Sequence, residues 1–360
     1  MLTPTPVVSL LEGQTRSTVR RGYRALEANR ALDALRLFRS ALGLSPGDRD
    51  ARVGENRAVR KLVPRWHFAM LNDVVRNEAY ARAVAEVVRP GTTVLDIGTG
   101  SGLLAMLAAR AGARRVTSCE MVRPLADVAA AIVASNGFAE RVEVVDRASF
   151  ELSIPRDLPE RVDVVVTELV DCGLVGEGIL PALRHARARL LRPGGTIVPR
   201  AARLVGALVE SEDVHQLNHV DTACGFDVRE LNRLSTSEYF PVRLGAWRHR
   251  FLTEPFEVVS FDFVGGELGS WGRSIEVTVE RSGRCHGVAC WFEMQLSHSE
   301  RLTTDPRTGP SHWLQAMFTF PRPLDVVAGE SLALGAHHDD YGMSLTPPAI
   351  DARGDSREDA

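Results

Sequence analysis

The sequence predicts an α/β unit followed by an antiparallel β domain, with an α-helical hairpin ahead of both. Three observations predict it. The apolar runs Thr93–Ile97 and Val162–Val166 read as buried parallel strands, each running into a glycine-containing segment. A helical pattern, Leu103–Ala109, follows the first of these. From residue 204 onward the pattern changes to short β-branched and aromatic runs separated by turn residues.

Taken in order, residues 1–60 form the N-terminal helical region. Gly22, Ala34, Phe38, Ala41 and Pro46 fit the small-residue and proline spacing of one tetratricopeptide repeat, with helices from Thr18 to Ala28 and from Ala31 to Leu42. A single repeat cannot bury its own apolar face, so this hairpin is expected to pack on the next domain or on another subunit.

Residues 61–200 form the α/β domain. In Thr93-Val94-Leu95-Asp96-Ile97-Gly98-Thr99-Gly100-Ser101-Gly102 a strand ends in a turn before a helix N-terminus, the place where a nucleotide-like ligand crosses. A dinucleotide fingerprint needs its third glycine at 103, but Leu103 stands there; the G-x-G-x-G spacing favours S-adenosylmethionine over NAD. The next strand, Arg115–Cys119, delivers Glu120, an acid placed to accept both ribose hydroxyls. With Arg192-Pro193-Gly194-Gly195-Thr196 ahead of a further strand, the pattern predicts a seven-strand, Rossmann-like methyltransferase sheet.

The run Val162–Val166 leads into Thr167-Glu168-Leu169-Val170-Asp171-Cys172-Gly173-Leu174-Val175-Gly176-Glu177-Gly178. Glu168 should emerge at the strand's carboxyl end, and the loop can fold Glu177 back beside it. Two carboxylates held that close repel unless a proton or cation sits between them, and a guanidinium offers the matching fork of donors. The competing reading is an acidic surface loop.

Residues 201–346 carry the strands Leu204–Val209, Phe256–Phe263, Ile275–Val279 and Trp291–Leu296, an antiparallel, barrel-like domain interrupted by a polar, partly helical insertion at about 212–250. Cys285, His286 and Cys290 are expected in a β-hairpin around Ser282-Gly283-Arg284 rather than at a metal, and His337-His338-Asp339-Asp340 reads as a polar strand end. No metal is expected. Residues 347–360, charged beyond Pro347-Pro348, are expected to be disordered.

Composition narrows the partners. Of 360 residues, 43 are basic and 46 acidic, a net charge of −3 with no basic cluster dense enough to track a phosphate backbone, so nucleic acid is not expected. Five cysteines without a C-x-x-C pair, no signal sequence and no apolar run of membrane length point to the cytoplasm.

From about residue 64 onward the chain resembles the protein arginine methyltransferases. Four segments carry the resemblance: Trp66–Tyr80, the cofactor turn, the double-glutamate loop, and Gly309-Pro310-Ser311-His312-Trp313, where Ser311 replaces the family's usual threonine. The resemblance implies that Glu168 and Glu177 hold the substrate guanidinium and that Asp73 and His312 pair to receive the released proton. It implies further that Met70 packs beside the reacting centre and Trp313 walls the arginine slot. His67 and Arg76 would contact the cofactor, as would Asp96, Gly98, Gly100, Gly102 and Glu120. Ala148 and Ser149 would meet the adenine, with Ser149 where the family usually has a glutamate. Arg76 and Asp73 also lie three apart and admit a solvated ion pair. The insertion at 212–250 matches the family's dimerisation arm, implying a homodimer.

The wording of the double-glutamate loop is closest to the monomethylating branch and its relative with tetratricopeptide repeats. The reaction expected is methylation of free L-arginine in natural-product biosynthesis, with arginine in Gly-Arg-rich protein segments the alternative. A methyltransferase for another small nucleophile and a catalytically silent helical scaffold are the remaining readings. Glu168→Gln is expected to stop turnover and spare cofactor binding.

Overall fold

The computed structural model describes residues 6–309 and 311–348. Most of the charged tail, from residue 349 on, and Pro310 lie outside the described residues. The N-terminal region is a unit of three helices, not two: α1 Pro6–Glu27, α2 Ala31–Leu44 and α3 Arg49–Leu62. Asp48 starts α3 by accepting the Ala51 N–H at 2.7 Å. The face that α3 turns inward is made of Ala51, Gly54 and Ala58, with Val59 and Leu62 packed beside them. They close over Phe38, which is wholly buried, and Val19, Leu26 and Leu35 complete a small core separate from the main one. The third helix thus covers a face that a lone two-helix repeat would leave open.

After α4 Trp66–Leu71 and α5 Val74–Val87, the chain enters a parallel sheet of β1 Thr93–Ile97, β2 Arg115–Cys119, β3 Val142–Val145, β4 Val162–Thr167 and β5 Leu191–Val198. Helices α6 Leu103–Arg110, α7 Arg123–Ser135 and α8 Ile179–His185 lie among these strands in the chain. The strand order is β3-β2-β1-β4-β5. Among the described residues five strands form it rather than the seven expected. Beyond β5 the chain turns at once into β6 Ala201–Glu210, which pairs with Phe256–Asp262 and Gly283–Gln295 in another sheet, so no strand returns to the parallel one.

This order places the site. The chain works outward from β1 through β2 to β3, then crosses to the far side of β1 for β4, leaving a crevice where the two directions part. Ile97 and Thr167 are register partners across β1 and β4, so Gly98 and Glu168, the next residue of each, leave the sheet side by side.

The β domain holds a seven-stranded antiparallel sheet and a three-stranded one formed by Trp271–Thr278, Ser331–His338 and Met343–Thr346. Ile275 and Leu334 of the small sheet share one core with Leu204, Phe292 and Phe318 of the large one. The hairpin expected around Ser282-Gly283-Arg284 does not form. Trp271–Thr278 pairs with Ser331–His338, while Gly283–Gln295 enters the large sheet, so the turn passes the chain from one sheet to the other. The insertion is shorter than expected, because Phe240–Val242 and Arg250–Phe251 are strands of the large sheet. What projects is a two-stranded ribbon, Thr222–Ala223 with Phe226–Asp227, and a 3-10 segment, Arg229–Leu234.

Candidate active site

A cavity of about 570 Å³ opens at the crevice. His67, Met70 and Arg76 line it from α4 and α5, Gly98 and Gly100 from the turn, and Glu120, Ala148 and Ser149 from the ends of β2 and β3. Glu168 and Glu177 complete it from the loop after β4. The side chains proposed for cofactor and guanidinium therefore share one continuous space.

The turn is built for close approach. Gly100 has φ +55°, and a Cβ there would meet no atom closer than the Gly98 carbonyl at 4.0 Å, so a side chain would project into space that the fold leaves open. Glu120 accepts the Gly100 N–H at 3.1 Å and the Val122 N–H at 2.9 Å, which fixes its carboxylate beside the turn. Burial raises its pKa, with the backbone donors opposing. Gly102, at φ +83°, begins α6.

Asp96 does not line the cavity. It is wholly buried behind the turn, accepts the Ser118 hydroxyl at 2.6 Å, and is tied through Ser118 to Thr99, 2.6 Å further on. Burial lifts its pKa to about 7. Asp96 braces the turn through Ser118 and Thr99 from behind the cavity wall.

Arg76 does not form the solvated pair with Asp73 that their spacing admits. Asp73 caps α5, accepting the Arg76 backbone N–H at 3.0 Å, while the Arg76 side chain runs inward and donates to Oε2 of Glu168. The second guanidinium edge reaches Asn77 Oδ1 at 2.8 Å, and the buried Nε has no partner. A buried guanidinium with one donor unspent suits an anionic group arriving from the cavity.

Burial raises the Glu168 pKa and Arg76 opposes the rise. Among the described residues Glu177 has no ion-pair partner. Solvent reaches it from the cavity, yet the surrounding protein, and then the carboxylates of Glu168 and Asp171, hold its pKa at about 7. The loop that carries both glutamates is braced at Asp171, which accepts the Gly173 and Gly176 N–H groups at 3.1 and 3.0 Å and the Tyr239 hydroxyl at 2.7 Å.

His312 donates from Nδ1 to Asp73 Oδ2 at 2.9 Å, and its backbone N–H reaches the same oxygen at 3.0 Å. Burial lowers the His312 pKa against the pull of Asp73. Burial alone would raise Asp73, but the backbone donors of Arg76 and His312 and the imidazole outweigh it and lower its pKa. The pair is thus an ionised carboxylate with a neutral ring. Trp313 does not wall the slot. Its indole N–H needs an acceptor once buried and finds the Val170 carbonyl at 3.0 Å, so the ring packs on Phe292 and props the glutamate loop from behind.

Sequence reasoning missed Tyr239, Tyr341 and Phe150, and gave Arg147 no role of its own within the adenine segment. Arg147 and Phe150 flank the proposed adenine residues and were within reach of it. The two tyrosines arrive from the β domain, and only the tertiary fold brings them to the loop.

Residues 80–199 match the family model of ribosomal protein L11 methyltransferase (PrmA), and residues 200–344 that of the arginine methyltransferase oligomerization subdomain. Arginine N(omega)-methyltransferase of Streptomyces achromogenes subsp. streptozoticus is 46% identical over 287 residues, 80% of either chain. The chain belongs to the protein arginine methyltransferase family.

Protein arginine N-methyltransferase 9 of Homo sapiens is 32% identical over 320 residues, which are 79% of this chain and 38% of that longer one. Two solved members of the family have a similar fold. The Trypanosoma brucei PRMT1 enzyme–prozyme heterotetrameric complex with AdoHcy gives a TM-score of 0.66 at 26% identity, covering 80% of this chain and 89% of its own. Protein arginine methyltransferase 10 of Arabidopsis thaliana gives 0.61 at 28% identity, with 75% and 86% covered. As a family member the chain is an S-adenosylmethionine-dependent arginine N-methyltransferase.

Proposed function

We propose that the enzyme methylates one terminal guanidinium nitrogen of free L-arginine, giving Nω-monomethyl-L-arginine for a streptozotocin-like natural-product pathway. One observation carries the clamp. Glu168, already paired with a guanidinium, shares a cavity with Glu177, a carboxylate that lacks a cation. The identity to the Streptomyces enzyme supports arginine itself as the substrate.

The residues around the turn fit the cofactor. Glu120 would accept the ribose hydroxyls, Ala148 and Ser149 would face the adenine, and Arg76, with its unspent Nε, would take the carboxylate. When bound, S-adenosylmethionine supplies an electrophilic methyl group. Glu168 and Glu177 hold the arginine guanidinium from two sides, so one nitrogen is fixed and the positive charge is drawn toward the other nitrogens, leaving the fixed one more nucleophilic. The attacking nitrogen becomes acidic as its bond forms, so a strong base is not needed beforehand. The proton passes toward neutral His312, whose free Nε2 can take it while Asp73 steadies the resulting imidazolium.

Phe226, Leu231 and Leu234, exposed on the projecting insertion, support a homodimer formed through it. Among the described residues no helix is long and apolar enough to cross a membrane, and we place the enzyme in the cytoplasm. The domain division at about 60, 200 and 346 is part of the same proposal.

Mass spectrometry of the enzyme with S-adenosylmethionine and either L-arginine or a Gly-Arg-rich peptide tests the reading. A single +14 product on free arginine is expected. Methylation of the peptide alone would make the protein-arginine alternative correct, and a +28 product would overturn monomethylation.

A further inference from the structure

Tyr341 stands at the cavity rim although it belongs to the far end of the chain. It lies in the tip Asp339–Gly342, between the strands Ser331–His338 and Met343–Thr346. The tip is tightly held. Asp339 Oδ1 accepts the Tyr341 and Gly342 N–H groups, each at 2.8 Å. Asp340 is gripped by Arg184 of α8, with Nη1 on Oδ1 at 2.7 Å and Nη2 on Oδ2 at 2.5 Å, and Arg184 also holds the Leu268 carbonyl. Tyr341 is 60% exposed and gains little from burial, so an anchored turn of this kind points to a use for its ring.

The ring's neighbour is the clamp. Tyr341 Cε1 lies 2.8 Å from where a Cβ on residue 178 would be, a contact that only Gly178, at φ +81°, allows. Gly178 follows Glu177 directly and begins α8, the helix whose Arg184 fixes the tip. The clamp loop and the tip therefore touch at Gly178, and Tyr341 lines the same cavity as Glu177. An arginine held at Glu177 would share this cavity with the ring.

Resting on the free-arginine reading above, we infer that Tyr341 is a specificity-determining residue. Its ring closes the slot mouth around the α-carbon of a single amino acid and obstructs an arginine that continues into peptide chain on both sides. Discrimination lies in the obstruction as much as in the fit.

The test is the ratio of kcat/KM for L-arginine to kcat/KM for a Gly-Arg-rich peptide in the wild type, Tyr341→Ala, Tyr341→Phe and Asp340→Ala. Tyr341→Ala should lower the ratio at least tenfold, mainly through the arginine KM, with kcat at saturation within threefold. Tyr341→Phe keeps the ring and should stay within twofold, while Asp340→Ala frees the tip and should shift the ratio the same way by less. An unchanged ratio in Tyr341→Ala, or equal loss on both substrates, would overturn the assignment. A wild type that methylates only the peptide overturns the free-arginine reading by itself. Tyr341 is then decided separately, since a changed peptide KM in Tyr341→Ala keeps it as a slot wall and an unchanged one removes it. Turnover on neither substrate would overturn both.

Discussion

The Arg76 guanidinium donates to Glu168 inside the protein, where only 3% of one side chain and 7% of the other are exposed. The residue proposed for the cofactor carboxylate and the first residue of the clamp are therefore one electrostatic unit. Taking two charges out of water is tolerable here because each satisfies the other, and removing one leaves its partner stranded.

Glu168→Gln consequently does more than stop turnover. The amide keeps an acceptor for Arg76 but loses the charge, so stability should fall by about 2 kcal/mol, and cofactor affinity should fall several-fold as Arg76 shifts. Thermal unfolding and calorimetric titration with S-adenosylhomocysteine measure both. Unchanged cofactor affinity would support the expectation drawn from sequence and deny the coupling.

If Glu177 is half of the proposed clamp, it sets the acid side of the pH profile. Its pKa of about 7 in the free enzyme means that the clamp must shed a proton before it can bind a cation. kcat/KM for arginine should fall about tenfold per pH unit below 7, while kcat, measured with the cation in place, should fall only at lower pH. The stability sign is the reverse of the usual carboxylate case. A folded pKa raised above the unfolded 4.5 means that the native state prefers the proton, so stability is lost as pH rises from 4.5 through 7. Glu177→Gln should therefore raise the unfolding midpoint at pH 8 and not at pH 4.5, and solvent access from the cavity keeps the gain small.

Asp73 caps α5, and the proposed mechanism gives it a second task that a single substitution can separate. Asp73→Asn preserves a cap for the Arg76 N–H and should keep the fold, but it removes the anion that steadies a protonated His312. kcat should drop about 100-fold with little change in cofactor affinity. Single-turnover methylation, followed beside the far-ultraviolet spectrum, checks that the loss is chemical.

Tyr239 acts on the clamp from outside the cavity. Its hydroxyl on Asp171 is a hydrogen bond to a charged group, in a loop whose shape sets the spacing of Glu168 and Glu177. Tyr239→Phe should cost about 1.5 kcal/mol, read as a roughly tenfold lower kcat/KM for arginine with cofactor affinity unchanged. Equal losses in both would assign Tyr239 to general stability.

What the sequence made legible follows from locality. The glycine turn, Glu120 and the double-glutamate loop each follow directly on a strand end, and strand order brings them to one cavity, so their meeting was legible in pattern and spacing. Helix α3 escaped because small residues, Ala51, Gly54 and Ala58, lead its buried face in a segment that is otherwise mostly polar. The strand count came from the family pattern, but the pairing of β6 ended the sheet at five. Trp313 was placed in the slot by its motif, whereas its indole N–H turned to the Val170 carbonyl. Tyr239 and Tyr341 act at distances of 68 and 163 residues along the chain from Asp171 and Gly178, and no local pattern encodes such contacts.

The most direct measurement is calorimetric titration of L-arginine into enzyme saturated with S-adenosylhomocysteine, wild type beside Glu177→Gln, at pH 8. Two carboxylates sharing one guanidinium predict that the variant loses at least 30-fold in arginine affinity while binding S-adenosylhomocysteine as the wild type does. Equal arginine affinity in the two proteins would contradict the clamp.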